Sequence, residues 1–290
     1  MTNIKIRNFV KIFLKIRFTI RIKEIIYLLL VKVLKNLKID EFLSNLPSEV
    51  ISGSNITIAD TVFRNIFKFS KLSFNDIFYY IGFGNNVHSL KIAKEEFGVK
   101  KVIGIDQNEK FIQNAKYQTK DIHGIDIVKK PIEELDISEA TILFFWFNDV
   151  GLIEKLRVKI EKEMKRGSRL VTLLSPPGLM LPSLVDFPFI MCIKPFIYAS
   201  NLKQQIKSIY GNSCLDFTAS WLLSENYIKK LETPPRYSRF INILLSMTIW
   251  INAWNNGVSC EKDIPAPVES YIGILNTFFN IDLKEMIMKK

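Results

Sequence analysis

A glycine-rich turn after Ile81 holds the residues of this sequence whose types and spacing best suit ligand chemistry. The run reads IGFGNN. Gly82 permits a tight turn, and Gly84 lets the backbone approach a ligand that a Cβ atom would exclude. Asp106 ends the next apolar run, KVIGID, 22 residues after Gly84. An acid at that separation can accept hydrogen bonds from both hydroxyls of a ribose, so the pattern predicts a site for an adenosine ligand. The structural alternative is an ordinary glycine turn and an acid that caps a helix.

Five apolar runs with intervening helical segments must position this turn. The runs are DIFYYIG (76–82), KVIGID (101–106), IDIVKK (125–130), ATILFFWF (140–147) and SRLVTLLS (168–175). A further helix is predicted before them, starting near Asp60. This alternation predicts an α/β fold with a doubly wound, Rossmann-like, mostly parallel sheet, in which ligands bind at the carboxyl ends of the strands.

The chain after Ser175 loses this alternation. Five prolines between residues 175 and 196 predict turns and one or two edge strands rather than central strands. Residues 201–290 predict a mostly helical extension. Its most apolar stretch, Phe240 to Trp254, is shorter than the roughly 20 residues that span a bilayer.

The amino-terminal residues carry most of the positive charge. Residues 1–38 hold ten basic side chains and one acid, Glu24, which accounts for +9 of the net charge of +11. Their spacing predicts a basic amphipathic helix. Such a helix either lies on an anionic membrane surface or packs on the neighbouring domain with a solvated basic face. Because the remainder is nearly neutral, nucleic acid is not indicated as a partner. The predicted divisions are 1–46, 47–200 and 201–290.

Histidine and cysteine content excludes several site classes. Only His88 and His123 occur, which disfavours a histidine zinc site or a Ser-His-Asp hydrolase, and no metal site is predicted. Cys192, Cys214 and Cys260 are widely spaced and share no C-x-x-C pattern. We therefore expect no disulfide framework and a reducing, cytoplasmic location, either free or peripheral on the inner face of the membrane.

Two long runs resemble one known family. The run from ITIADTVF to NEKFIQNAK, residues 56–116, is similar to the start of a class I S-adenosylmethionine-dependent methyltransferase. The run LDISEATILFFWFNDVGLIEKLRVKIEKEMKRGSRLVTLLS resembles the archaeal protein-lysine methyltransferases and their mitochondrial relatives. The likeness covers residues 56–175 and implies S-adenosylmethionine as the cofactor. Neither the basic segment nor the helical extension is explained by it.

The resemblance implies a set of cofactor-binding positions. Gly82 and Gly84 match the family's two glycines, and Asp106 matches its ribose-binding acid. Three positions depart: Tyr80 replaces an acid that helps hold the amino-acid end of the cofactor, Asn86 replaces a third glycine, and Pro131 replaces an Asp or Asn near adenine. The remaining predicted cofactor contacts are Asn85, Gln107, Ile132, which would back the adenine ring, and Phe147.

The end of the fourth strand is predicted to line the substrate entrance. Asn148 is the candidate for positioning the reacting groups near the methyl group, with Asp149 beside it. Phe145, Trp146 and Phe147 are interpreted as core more readily than as a substrate cage. Methyl transfer to an amine is an in-line displacement that mainly needs alignment, so no general base is required.

The implied activity is methylation of an amine such as a protein lysine. One alternative keeps the fold but not the catalysis, as a module acting in membrane association or scaffolding, since three cofactor contacts are altered. A further alternative transfers the aminocarboxypropyl arm of the cofactor, as in enzymes of the nicotianamine synthase type.

Overall fold

The computed structural model describes residues 59–147, 149–232, 235–279 and 282–287. The predicted basic helix and Asn148 lie outside these residues. The strands are β1 (Ile77–Ile81), β2 (Lys101–Asp106), β3 (Ile125–Lys129), β4 (Ile142–Phe145), β5 (Arg169–Leu173), β6 (Leu184–Asp186) and β7 (Phe189–Ile193).

Helices flank these strands and follow them. They are α1 (Asp60–Phe69), α2 (Val87–Glu95), α3 (Glu109–Thr119), α4 (Val150–Glu163), α5 (Leu202–Tyr210), α6 (Phe217–Lys230), α7 (Pro235–Asn255) and α8 (Ala266–Phe279), with short 3-10 helices at Ile132–Glu134 and Lys284–Met286. All five predicted strands are present, and α1 begins at the predicted Asp60. The predicted short third crossover is the first 3-10 helix.

The strands form one sheet in the order β3-β2-β1-β4-β5-β7-β6. Strands β1 to β5 are parallel, and β7 pairs with β5 in the antiparallel sense. The predicted doubly wound, mostly parallel sheet is therefore confirmed. The order reverses between β1 and β4, and this reversal opens a crevice at their carboxyl ends, where ligands of such sheets bind.

Alternating side chains of β1 supply two cores, one on each face of the sheet. Phe78 and Tyr80 pack with α1 and α2, whereas Tyr79 and Ile81 pack on the face that α4 covers. Because both faces are covered by helices, the strands read as continuous apolar runs, as the sequence shows.

A buried polar network lies at the amino end of the sheet. The Asp76 carboxylate accepts hydrogen bonds from Ser73, Thr141 and Arg169, and forms an ion pair with Arg169. Arg169 also donates to the backbone oxygens of Ser70 and Lys71. The network joins β1, β5 and the turn after α1, so it ties both halves of the sheet together.

The segment after β5 corrects one prediction. The proline-rich stretch forms two strands, as expected, but only β6 lies at an edge. Strand β7 lies between β5 and β6 and is buried along most of its length. It holds this place because Pro188 and Pro195 flank the strand and leave its own residues free to donate the ladder hydrogen bonds.

The carboxyl-terminal helices form the predicted helical extension, with α6 and α7 packed as a pair. Cys214 and Cys260, with Cα atoms 5.1 Å apart, are joined by a disulfide bond. The expectation of no disulfide is wrong for this pair. The α6–α7 hairpin brings two segments 46 residues apart into a bridge between Leu215 and Ser259, which spacing along the chain does not reveal.

A partly buried carboxylate reinforces the same hairpin. Glu261 accepts hydrogen bonds from the Phe217 backbone and from the side chains of Trp250 and Ser259. Burial opposes the charge of Glu261, but these hydrogen bonds outweigh it and lower its pKa. Among the helices that the structure describes, none is both long and apolar enough to cross a bilayer.

Candidate active site

The turn after β1 has the backbone geometry that its glycines predict. Gly82 and Gly84 have φ values of +71° and +56°, in the left-handed region that glycine enters without strain. The Gly82 N–H donates to the carbonyl of Ile105 at 2.8 Å, which extends the ladder between β1 and β2. The Gly84 N–H donates to the Asp106 carboxylate at 3.0 Å. The structure therefore brings the predicted turn and the predicted acid together.

Asp106 retains capacity for a ligand. Its second carboxylate oxygen accepts from the Asn108 backbone at 2.8 Å, so each oxygen has one protein donor. A carboxylate has about four lone-pair sites. Two sites therefore remain for the hydroxyls of a ribose. The side chain is only partly buried, which leaves it within reach of a ligand in the crevice.

The other predicted contacts lie around the same edge of the sheet. Asn85 and Gln107 are exposed on the turns that follow β1 and β2, and Pro131 is exposed at the end of β3. Ile132 is 3% exposed and belongs to the core below that edge. A backbone free of side chains at Gly82 and Gly84, an acid with spare acceptor capacity and an apolar floor fit an adenosine-type cofactor.

Tyr80 and Asn86 are placed differently from the other predicted residues. Tyr80 is 1% exposed, and its ring centroid lies 4.7 Å from that of Phe144. Burial raises its pKa, against a hydrogen bond with Asn86. Asn86 is 2% exposed and precedes the first residue of α2. The two side chains bind each other in the core, so they shape the turn from behind and do not face the crevice.

Phe147 joins the turn to the end of β4. Its ring lies against Gly82, where an added Cβ would be only 3.2 Å from the Phe147 Cδ1 atom. It also packs on Phe145 with ring centroids 4.8 Å apart. Beyond it, Asp149 caps α4 by accepting from the Leu152 backbone. Phe147 therefore lies between the crevice beside Gly82 and a cavity at the carboxyl ends of β4 and β5.

A cavity of about 720 Å³ lies on the far side of Phe147, at the carboxyl ends of β4 and β5. Helix α7 closes one side with residues that share one helical face, Leu245, Thr248, Ile249, Asn252 and Ala253, and Asn256 follows directly after the helix. Helix α5 closes another side through Gln205, Ile206 and Ile209. The helical extension, whose role the sequence did not reveal, thus walls a cavity beside the crevice.

The cavity lining is mostly apolar, and none of the described residues that line it carries a charge. Its phenol, Tyr210, donates to the Leu174 backbone at 3.0 Å, and burial raises its pKa, so it stays neutral. Two lining residues have a buried polar atom without a hydrogen-bond partner: Trp146 Nε1 and Thr172 Oγ1. Such orphaned groups are rare in native structures, and both atoms have less than 1 Å² of exposed surface.

Sequence reasoning missed Thr172 and underrated Trp146. Thr172 is the only polar residue between Arg169 and Leu174 of the run SRLVTLLS. A hydroxyl in the middle of a buried strand was the available signal. Trp146 is 5% exposed and does pack in the core as predicted. It also lines the cavity. No cluster of metal-ligating side chains occurs within the described ranges.

Known proteins resemble parts of this chain. No family model matches it. A protein-lysine N-methyltransferase of Saccharolobus islandicus (strain REY15A) is 36% identical over 117 residues, which cover 39% of this chain and 71% of that protein. A Salinibacter ruber RNA methyltransferase solved with S-adenosyl-L-homocysteine covers 51% of this chain at 19% identity and a TM-score of 0.45. A precorrin-8w decarboxylase of Methanobacterium thermoautotrophicum covers 44% at 18% identity and a TM-score of 0.35.

The Saccharolobus protein decides the family. Its identity to this chain extends over more than two thirds of its own length, and the predicted resemblance rested on the same class of enzyme. S-adenosylmethionine is the cofactor of that class. By sequence and by the arrangement of its sheet and glycine turn, this chain belongs to the protein-lysine N-methyltransferase family of class I S-adenosylmethionine-dependent methyltransferases.

Proposed function

We propose that this chain transfers a methyl group from S-adenosylmethionine to an amine nitrogen of an acceptor bound in the cavity beside Phe147. The observation that carries the proposal is the double contact of Phe147. Its ring packs on Gly82 of the turn and also lines the cavity. An acceptor in the cavity would therefore adjoin a cofactor that lies along Gly82, Gly84 and Asp106.

The residues of the chain have binding and positioning roles in this proposal. Asp106 would hold the ribose, Gly82 and Gly84 would let the cofactor approach the backbone, and Ile132 would back the adenine. When bound, S-adenosylmethionine supplies an electrophilic methyl group: the acceptor nitrogen's lone pair bonds to the methyl carbon, the C–S bond electrons pass to sulfur, and the nitrogen's proton goes to water. Phe147 and the cavity wall exclude solvent and align the acceptor. The relative acts on protein lysine by its name, which makes a lysine amine one acceptor to test.

Calorimetric titration of the full chain with S-adenosylmethionine tests the cofactor site. We expect Asp106→Asn to weaken binding about tenfold or more, because the ribose loses charge-assisted hydrogen bonds. Asp121→Asn is the matched control, since Asp121 is exposed at the end of α3. Equal affinity of the wild type and Asp106→Asn would place the cofactor elsewhere.

A thermal-shift measurement addresses the alternative of a fold without catalysis. A ligand at about 100 times its dissociation constant stabilises the folded state by roughly 2.7 kcal/mol. We expect a clear upward shift in Tm with S-adenosylmethionine or S-adenosylhomocysteine. Absence of a shift at millimolar ligand would favour the non-catalytic module.

A further inference from the structure

The cavity beside Phe147 adjoins the cofactor site without being part of it. Its volume of about 720 Å³ falls within the range of roughly 300–1,000 Å³ typical of ligand sites. Helices α5 and α7, which wall it, lie after residue 175, where the resemblance to the methyltransferases ends. The Saccharolobus relative has about 165 residues, since 117 residues are 71% of it, whereas this chain has 290. The cavity is therefore built from the family's sheet and from the extension together.

The charge of a lysine acceptor does not suit the interior of this cavity. A lysine amine has a pKa near 10.4, so it arrives from water as an ammonium group at pH 7. An ammonium group that enters an apolar site costs far more than a neutral group unless an acid compensates it. None of the described residues that line the cavity is acidic. The lysine nitrogen therefore reaches the methyl group on the Gly82 side of Phe147, and the cavity is left to a neighbouring part of the acceptor.

The exposed surface of the lining indicates the chemistry of that part. Apolar lining residues that remain partly exposed include Phe147, Ile153, Phe187, Leu202 and Ile249. They come from separate segments: the end of β4, α4, the turn before β7, α5 and α7. Surfaces of this kind are stabilised when another apolar group covers them and removes them from water. An aromatic or large aliphatic side chain therefore fits the space between them.

The rim of the cavity has the opposite character. Ser175, Gly178, Asn252 and Asn256 line the cavity and are exposed. Their amide, hydroxyl and backbone groups can form hydrogen bonds with the main chain of a bound polypeptide. An apolar centre within a polar rim is the usual arrangement of a protein-recognition site. Since residues of an extended chain are about 3.3–3.6 Å apart, a side chain a few positions from the lysine can reach the cavity.

We infer that the cavity binds an aromatic or large aliphatic side chain of the protein acceptor, a few positions along the chain from the lysine that receives the methyl group. The inference rests on the proposed function with a protein lysine as acceptor, because it names the sequence context of that lysine. Leu202 of α5 and Ile249 of α7 are specificity-determining residues in this arrangement. Phe147 separates the apolar side chain from the reacting nitrogen, and the extension selects which lysines are methylated.

Peptides that contain a single lysine test this inference on the full chain with tritiated S-adenosylmethionine. The peptides share one length and a serine-rich background, and Phe, Leu or Ser is placed in turn at each position near the lysine. At one or two positions we expect kcat/KM to be at least about tenfold higher with Phe or Leu than with Ser, because the apolar side chain leaves water. Equal rates for the three residues at every position would overturn the inference.

A substitution that fills the cavity tests where the apolar side chain binds. Leu202→Trp places a larger ring in the wall, so the preference for Phe over Ser should fall at least about threefold. Leu222→Trp is the matched control, because Leu222 is 54% exposed on α6 and lies outside the cavity lining. Retained binding of S-adenosylmethionine identifies each variant as folded. An unchanged preference in Leu202→Trp, or an equal fall in the control, would contradict the inference.

A charge substitution gives a second readout, which is a gain and not a loss. Asn252→Asp adds a carboxylate at the rim without changing the size of the side chain. A peptide with Arg at the preferred position should then gain about two- to fivefold in kcat/KM relative to the Phe peptide. Asn226→Asp is the matched control, since Asn226 is exposed on α6 outside the lining. A ratio unchanged by Asn252→Asp would place the preferred side chain outside the cavity and overturn the inference.

The same assays separate failure of this inference from failure of the proposed function. Methylation of the lysine peptides without any preference among Phe, Leu and Ser overturns the inference and leaves the proposed amine methylation standing. Binding of S-adenosylmethionine without transfer to any peptide also overturns the inference, because a lysine near Phe is then not an acceptor. Neither transfer nor binding of S-adenosylmethionine contradicts the proposed function itself.

Discussion

At the amino end of β1 and β5, the Asp76 carboxylate and the Arg169 guanidinium lie among hydrogen-bond partners that the protein itself supplies. At the carboxyl end of β4 and β5, Trp146 Nε1 and Thr172 Oγ1 are buried and have none. Strand β5 contributes to both ends, and Asp76, Trp146 and Thr172 are each no more than 5% exposed. The amino end therefore stabilises the fold through paired polar groups, whereas the carboxyl end buries polar groups that the protein leaves unpaired.

The largest expected effect comes from disrupting the ion pair between Asp76 and Arg169 at the amino end of the sheet. Asp76→Asn removes the charge that compensates the largely buried Arg169, and removal of one partner from a buried ion pair costs about 3–5 kcal/mol. Urea denaturation measures this loss. Asp126→Asn, which breaks the exposed pair with Lys101, should cost about 1 kcal/mol or less. Similar losses in the two variants would show that Asp76 does not stabilise the fold through burial.

The same carboxylate gives the amino end a pH dependence. Burial would raise the pKa of Asp76, but hydrogen bonds from Thr141, Arg169 and Ser73 outweigh it and lower the pKa. A lowered folded-state pKa means that the stabilisation is complete above the unfolded value, about 3.9, and is lost as pH falls through the folded value. The urea concentration at the unfolding midpoint should therefore fall as the pH drops below about 4, and it should fall less steeply in Asp76→Asn than in the wild type. Parallel curves for the two proteins would contradict this assignment.

A smaller effect is expected in the turn at the carboxyl end. Gly82→Ala forces a side chain to φ +71° and brings its Cβ to 3.2 Å from Phe147. Gly98→Ala has a similar φ of +65° with nothing within 4 Å. The control should lose about 1–2 kcal/mol from backbone strain alone, measured by urea unfolding. Gly82→Ala should lose more, and only Gly82→Ala should also weaken S-adenosylmethionine binding. Equal losses of unfolding free energy in the two variants, with unchanged binding of S-adenosylmethionine, would show that the turn does not contact the cofactor.

The smallest expected effect on stability has the opposite sign. Thr172→Val removes a buried hydroxyl that has no partner, so the free protein should be unchanged or more stable by up to about 1 kcal/mol. Urea unfolding without ligand measures this. Thr141→Val is the contrasting variant at the amino end, because its hydroxyl donates to Asp76. A large loss in Thr172→Val would show that its hydroxyl has a partner in solution and would remove the contrast between the two ends.

Much of the fold was predictable because its signals are local. The runs that became β1 to β5 are mostly apolar and alternate with segments of helical spacing, which is typical of parallel strands whose faces are covered by helices. Gly82, Gly84 and Asp106 were predictable for a similar reason. A turn that requires positive φ selects glycine, and an acid at the end of the next strand lies at the same edge of the sheet.

Local sequence signals did not predict the disulfide, the position of β7 within the sheet or the cavity. Cys214 and Cys260 meet only because α6 and α7 pack as a hairpin. Tyr80 stands at a cofactor position in the sequence, yet its side chain packs in the core. The alternation of a strand determines which residues share a face, but the neighbouring helices decide whether that face is covered or open.

The sequence by itself determined the class of fold, the glycine turn and its acid, because each depends on short-range geometry and on burial patterns that repeat along the chain. Only the tertiary structure decided what the extension does. The cavity-lining residues of α5 and α7 begin 30 positions after Thr172 and end 107 positions after Trp146. Their apolar faces are typical of any buried helix, and packing against the carboxyl ends of β4 and β5 is what turns those faces into a cavity wall.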